Sequence, residues 1–188
     1  MSPMDHFLPD YQFSERHHTM VRCAPGELLD IVQNYQPPRD RIGDLLMSIR
    51  LIPSRLLHRA APERHQGAQP VTIRSFIPLG RDGDREIVAG LVGQFWRANF
   101  GLIPIAGPSE YLAFNAPRTA KLALGFAAEP DGEMTRFTTE TRVYCPDRYT
   151  YLRFLPYWLL IRPASGLIRR RALATIRGIA EKREVAPA

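Results

Sequence analysis

The chain has 188 residues, of which 45% are hydrophobic, and a formal net charge of +6. That suits a single domain over residues 1–188 with a genuine core. The longest uninterrupted apolar run, Tyr157–Ile161, falls far short of the about 20 residues needed to cross a bilayer.

The basic side is nearly all arginine, with Lys121 and Lys182 the only lysines. The arginines are spread along the chain. Their one local run, Arg169–Arg171, is too short for a nucleic-acid tail, so no nucleic-acid partner is expected. Cys23 and Cys145 make neither a disulfide framework nor a zinc site, and no metal or cofactor is expected. The opening MSPMDHFLPDYQF lacks the basic-then-apolar order of a secretory signal. The expected setting is the cytoplasm, with both thiols free.

Residues 1–11, with Pro3 and Pro9, are expected to form an extended lead-in. Phe13 to Cys23 alternates with period two. It sets Phe13, Glu15, His17, Thr19, Val21 and Cys23 on one face of a strand. Pro25 and Glu27 then open a short helix carrying Leu28, Leu29, Ile31 and Val32. A second helix is expected over about residues 41–52, from Ile42, Leu45, Leu46, Ile49 and Ile52.

From Val71 to Leu79 the period returns to two, and Gly80–Gly83 reads as a turn. Residues 85–97 form a strand apolar on both faces, which implies either a central strand covered on both sides or a face that meets a partner, such as a second copy in a homodimer. Gly90 and Gly93 mark strong bending or the close approach of another backbone. The apolar loop Asn99–Ser109 should bury itself or border a cavity. A short strand is expected at Tyr111–Asn115. Strands over 118–128 and 133–145 are joined by a hairpin at Pro130-Asp131-Gly132. Asp147 is placed to cap a long last helix. Pro156 and Pro163 should bend or break that helix, with Pro163 opening a fresh segment, and residues 184–188 should fray.

This order of strand, two helices, antiparallel strands and long helix resembles the helix-grip fold of the START-like (SRPBCC) superfamily. More specifically, TETRV at Thr139–Val143 and YWLLIRPASGLIRR at Tyr157–Arg170 resemble an uncharacterised bacterial branch of it. The resemblance implies an α+β fold in which a curved antiparallel sheet of about seven strands wraps a long C-terminal helix. Two short helices would follow the first strand. It also implies a hydrophobic small molecule or lipid held between sheet and helix; some members act as cyclases or hydrolases and some bind nothing known. A cyclase- or hydratase-type enzyme in the same pocket is the alternative expectation for this chain.

Candidate lining residues for such a pocket are Phe95, Trp96, Leu124 and Phe126 on the strands and Tyr157, Trp158 and Arg162 on the covering helix. Glu140 and Arg142 share a strand face. They would orient a polar group if that face meets the helix, and form a surface ladder if it does not. His17 and His18 are adjacent on a strand, point to opposite faces and read as ordinary strand histidines. No nucleophile triad, phosphate-binding loop or dinucleotide fingerprint is present.

Overall fold

Period-two alternation builds one antiparallel sheet, and a single long helix covers one of its faces. The structure is a computed structural model that describes residues 1–35, 75–97 and 99–185, with side chains to Lys182. Five strands are described: β1 (Phe13–Val21), β2 (Ile77–Asp82), β3 (Glu86–Gly93), β4 (Ala120–Asp131) and β5 (Met134–Tyr144). Their spatial order is β1-β5-β4-β3-β2. The last four form a meander. The first strand closes against the last, from Phe13 opposite Val143 to Val21 opposite Thr135. Four helices lie among the described residues: α1 (Pro3–Phe7), α2 (Pro25–Gln33), α3 (Pro108–Ala113) and α4 (Arg148–Val185).

The class is therefore α+β, with a five-stranded sheet among the described residues where about seven strands were expected. The expected second helix, and the start of the strand expected at Val71, fall on residues outside them.

The odd positions of β1 and β5 and the even positions of β4 face α4. Two apolar clusters form there. One joins Phe13, Leu91, Leu122 and Val143 to Phe154, Tyr157, Trp158 and Ile161. The other joins Val21, Phe137 and Ala128 to Leu28, Leu29 and Ile31 of α2 and to Leu173, Ile176 and Ala180 of α4. A third cluster lies on the opposite face, where Met4 and Phe7 of α1 and Tyr111 of α3 cover Val88, Val92 and Ala123. The two-sided apolar strand at 85–97 is thus covered on both faces by its own chain.

Four expectations need correction. The lead-in is not extended. Ser2 accepts from the Met4 N–H at 3.1 Å and Pro3 occupies the first turn, so a capped helix forms whose Met4 and Phe7 are buried. The segment at Tyr111 is helical, not a strand. Pro108 opens it, and Glu110 reaches back to the Ala106 N–H at 2.6 Å. Gly80 to Asp82 continue β2 past an irregularity at Pro78/Gly80, and the turn lies at Gly83, whose φ is +48°.

Finally, α4 is one helix through Pro156 and Pro163, with no fresh start. Each interior proline costs about 3 kcal/mol. The buried Phe154, Tyr157, Trp158 and Ile161 return roughly 1.5–3 kcal/mol apiece, so packing outweighs propensity.

The glycine expectations separate. At Gly93 a Cβ would meet the Phe100 carbonyl oxygen at 2.8 Å, because the 99–103 loop hydrogen-bonds back to β3, with Gln94 N–H to Phe100 O at 2.9 Å. Gly90 instead makes room for a side chain, the Tyr111 ring, at 2.7 Å from a built Cβ. The hairpin at Gly132 (φ +63°) joins β4 to β5 through two residues, as the Pro-Asp-Gly signal implied.

Asp147 caps α4. Its Oδ1 accepts from the Thr150 N–H at 2.7 Å, and its Oδ2 accepts from the Arg118 N–H at 2.7 Å, tying the helix start to the loop before β4. These backbone donors hold its carboxyl below the usual carboxylate range. The stabilisation is therefore complete above about pH 4 and is lost as pH falls through the depressed native value. Asp147→Ala should lower unfolding free energy by about 1 kcal/mol at neutral pH in urea melts. Asp147→Asn should cost less, and its deficit should shrink in acid.

Neither cysteine is in a disulfide. The two lie just beyond opposite ends of the β1–β5 pair, Cys23 after Val21 and Cys145 after Tyr144. Burial, aided by the Asp147 charge, pushes the Cys145 thiol up to about 12. Under native conditions an aromatic disulfide reagent should label half-buried Cys23 well before Cys145, which should react fully only on unfolding.

Candidate functional site

The register of β1 on β5 sets Glu15 opposite Thr141 and His17 opposite Thr139. All four side chains face α4. They form a polar band between the two apolar clusters on that face. The His17 Nε2 lies 2.8 Å from Glu15 Oε1, a hydrogen bond between a half-buried imidazole and a buried carboxylate. Leu124 and Phe126 continue the two rows on β4, opposite Thr141 and Thr139.

The helix supplies the roof. Gly166 passes directly over the pair: a Cβ built there would be 3.0 Å from Glu15 Oε1 and 3.6 Å from the His17 ring. Arg169, one turn on, brings its Nε to 3.9 Å from Glu15 Oε2, beside Ser165 Oγ at 3.5 Å. Glu15 is thus buried at 7% exposure with a cation on the opposite element.

Three oxygens in this band are buried with no hydrogen bond from any of the described residues: Glu15 Oε2, Thr139 Oγ1 and Thr141 Oγ1. A buried polar group left unsatisfied costs about 1–3 kcal/mol, so three adjacent ones are an unusual concentration.

A groove of about 550 Å³ leads to the band from the outer edge of β1. Glu15, His17 and Gly166 line it, and Arg16, Arg162 and Arg170 surround it with positive charge. Pro163, also in its wall, has no N–H to offer the carbonyl of Leu159.

The nine residues singled out by sequence separate into three places. Phe95, Trp96, Tyr157 and Trp158 are buried and pack with Phe13 and Phe154 as core. The rings of Phe13 and Trp158 are 5.8 Å apart, and those of Phe154 and Tyr157 are 5.6 Å apart. Leu124, Phe126 and Arg162 do border the polar band or its groove; Phe126 also stacks on Phe137.

Glu140 and Arg142 lie on the far face. Arg142 bonds Glu140 at 2.7 Å and Asp5 of α1 at 2.6 Å. They line a separate polar cleft of about 210 Å³ with Ser2 and Glu86, whose carboxyl is raised by burial. The reason is alternation: once Thr139 and Thr141 face the helix, residues 140 and 142 cannot.

Sequence reasoning missed Glu15, His17, Thr139, Thr141, Ser165, Gly166 and Arg169. A signal existed. On both strands the helix-facing set is apolar at its ends, Phe13 and Val21 or Phe137 and Val143, and polar in the middle. Only the register brings the two middles together.

Among the described residues no group of three or more His, Cys, Asp or Glu side chains could hold a metal ion, and no helix is long and apolar enough to cross a membrane. Compared with family models, curated proteins and solved structures, the chain matches none.

The roof can be tested with two glycines of the same helix. A Cβ at Gly178 meets nothing within 4 Å, so Gly178→Ala should raise stability by about 0.5–1 kcal/mol through helix propensity. The same change at Gly166 presses on Glu15. There the gain should vanish, and the His17 imidazole resonances should shift.

Proposed function

We propose that this chain is a START-like binding module that holds a small apolar molecule or lipid, by its polar end, between the sheet and α4. The order of elements supports the family reading: a first strand followed by helix, an antiparallel meander whose last strand pairs with the first, and a long C-terminal helix across one face. Two thiols outside any disulfide fit a reducing compartment.

The observation that carries the ligand reading is the set of three buried oxygens, unsatisfied among the described residues, between apolar clusters and beside a groove that reaches Glu15. A fold has no need of them there. A bound hydroxyl, amide or protonated acid would supply donors and acceptors to Thr139, Thr141 and Glu15, while Leu124 and Phe126 met its apolar body.

A second reading, a cyclase- or hydratase-type enzyme in the same place, is favoured by the Glu15–His17 bond. A carboxylate that orients an imidazole is a common arrangement for moving a proton.

Native mass spectrometry of freshly purified protein should show a co-purified mass of lipid size. The double variant Thr139→Val/Thr141→Val keeps shape and removes both hydroxyls. The unliganded protein should be about 1 kcal/mol more stable to urea, yet retain the co-purified mass several-fold less. Gain in stability with unchanged retention would sink the assignment of these oxygens to a ligand.

A further inference from the structure

The outward face of α4, which meets the candidate groove only at Arg162, Pro163, Leu167 and Arg170, has a character that the core does not use. Leu152, Leu159, Leu160 and Leu167 are 51–60% exposed, and Tyr149 is 48% exposed. At 100° per residue these side chains fall on one side of the helix, together with Pro156 and Pro163. From Tyr149 to Leu167 the stripe is about 27 Å long at 1.5 Å per residue. An aqueous helix normally presents charged residues there.

Charge points the same way. Between Arg148 and Ala180 the sequence has seven arginines and no Asp or Glu. Arg148, Arg153, Arg162 and Arg170 are exposed along or beside the stripe. The acid nearest the helix start, Asp147, is engaged in the N-cap.

We propose that this face of α4 docks on an anionic lipid surface, with the leucines entering the boundary between headgroups and chains and the arginines meeting lipid phosphates. Both halves of the pattern are satisfied by that partner and by no simpler one. A nucleic-acid backbone would take the arginines but offer the leucines nothing. A second copy would cover the leucines, but would oppose one acid-free arginine row to another. A lipid surface removes apolar area from water and neutralises cations together, and arginine stems can lie along the apolar boundary while their heads stay at the phosphates. The docking does not depend on what fills the groove beneath the helix.

The test is co-sedimentation of the full chain with phosphatidylcholine vesicles, with and without about one-third phosphatidylglycerol. Binding should require the anionic lipid and should weaken as salt is raised. Leu159→Ser/Leu160→Ser should lower partitioning about tenfold or more without changing the thermal melt, since both side chains point to solvent. Arg148→Gln/Arg153→Gln should weaken binding to anionic vesicles while leaving the leucines in place. Equal binding to neutral vesicles, no binding to either, or wild-type binding by the leucine variant would each overturn the proposal. So would a dimer in light scattering that the leucine variant abolishes, which would assign the face to a second copy.

Discussion

Everything that distinguishes this molecule depends on the pairing of its first strand with its last. β1 is separated from β5 by more than a hundred residues, and their register runs unbroken from Phe13 opposite Val143 to Val21 opposite Thr135. A slip of one residue would reverse which face each side chain meets. A slip of β1 would carry Glu15 and His17 away from the helix and bring Arg16 and His18 beneath it, while β5, held in register by β4, kept Thr139 and Thr141 in place. The apolar ends, Phe13 with Val143 and Val21 with Phe137, hold the register, because each end feeds a different buried cluster under α4. The polar middle is fixed in place by residues that are not part of it.

That division of labour explains why the elements were legible and the site was not. Local pattern suffices for the odd face of β1, the hairpin at Gly132 and the cap at Asp147, since each depends on a few adjacent residues. It also shows that Thr139 and Thr141 share a face. Nothing local shows that Glu15 and Thr141 are neighbours, or that Gly166 passes over both. Those facts belong to pairing across the chain and to the path of α4. The same limit left Tyr157 and Trp158 open between core and pocket wall. Their helical spacing fits a pocket wall and a core equally well, and only the neighbouring Phe13, Phe95 and Phe154 rings decide for the core.

The helix itself was misjudged for a different reason. Propensity counts what each residue costs in isolation, and by that measure two prolines and two glycines should divide α4. Its stability comes from the inward residues that meet both apolar clusters, from Phe154 to Ala180. The prolines occupy the side away from the sheet, where Pro163 is exposed. Gly166 lies on the inward side, where the absence of a Cβ lets the helix approach Glu15 closely. Residues that weaken a helix in water are placed here where weakness is tolerated or where small size is needed.

The inner and outer faces of α4 meet at one point. Arg162, Pro163, Leu167 and Arg170 line the groove that leads to Glu15, and the same residues lie along or beside the exposed apolar stripe. A helix docked on lipid by that stripe would hold the mouth of the groove close to the headgroup layer. A molecule with an apolar body and a polar end is solvated poorly in water, and every apolar square ångström exposed in transit adds to the barrier. Passage through a mouth at the lipid boundary shortens that exposure, and a positive rim would meet the polar end first. The two proposals are carried by different observations, buried oxygens inside and leucines with arginines outside. They converge because one helix presents an apolar face to each side while its polar contacts gather around Gly166.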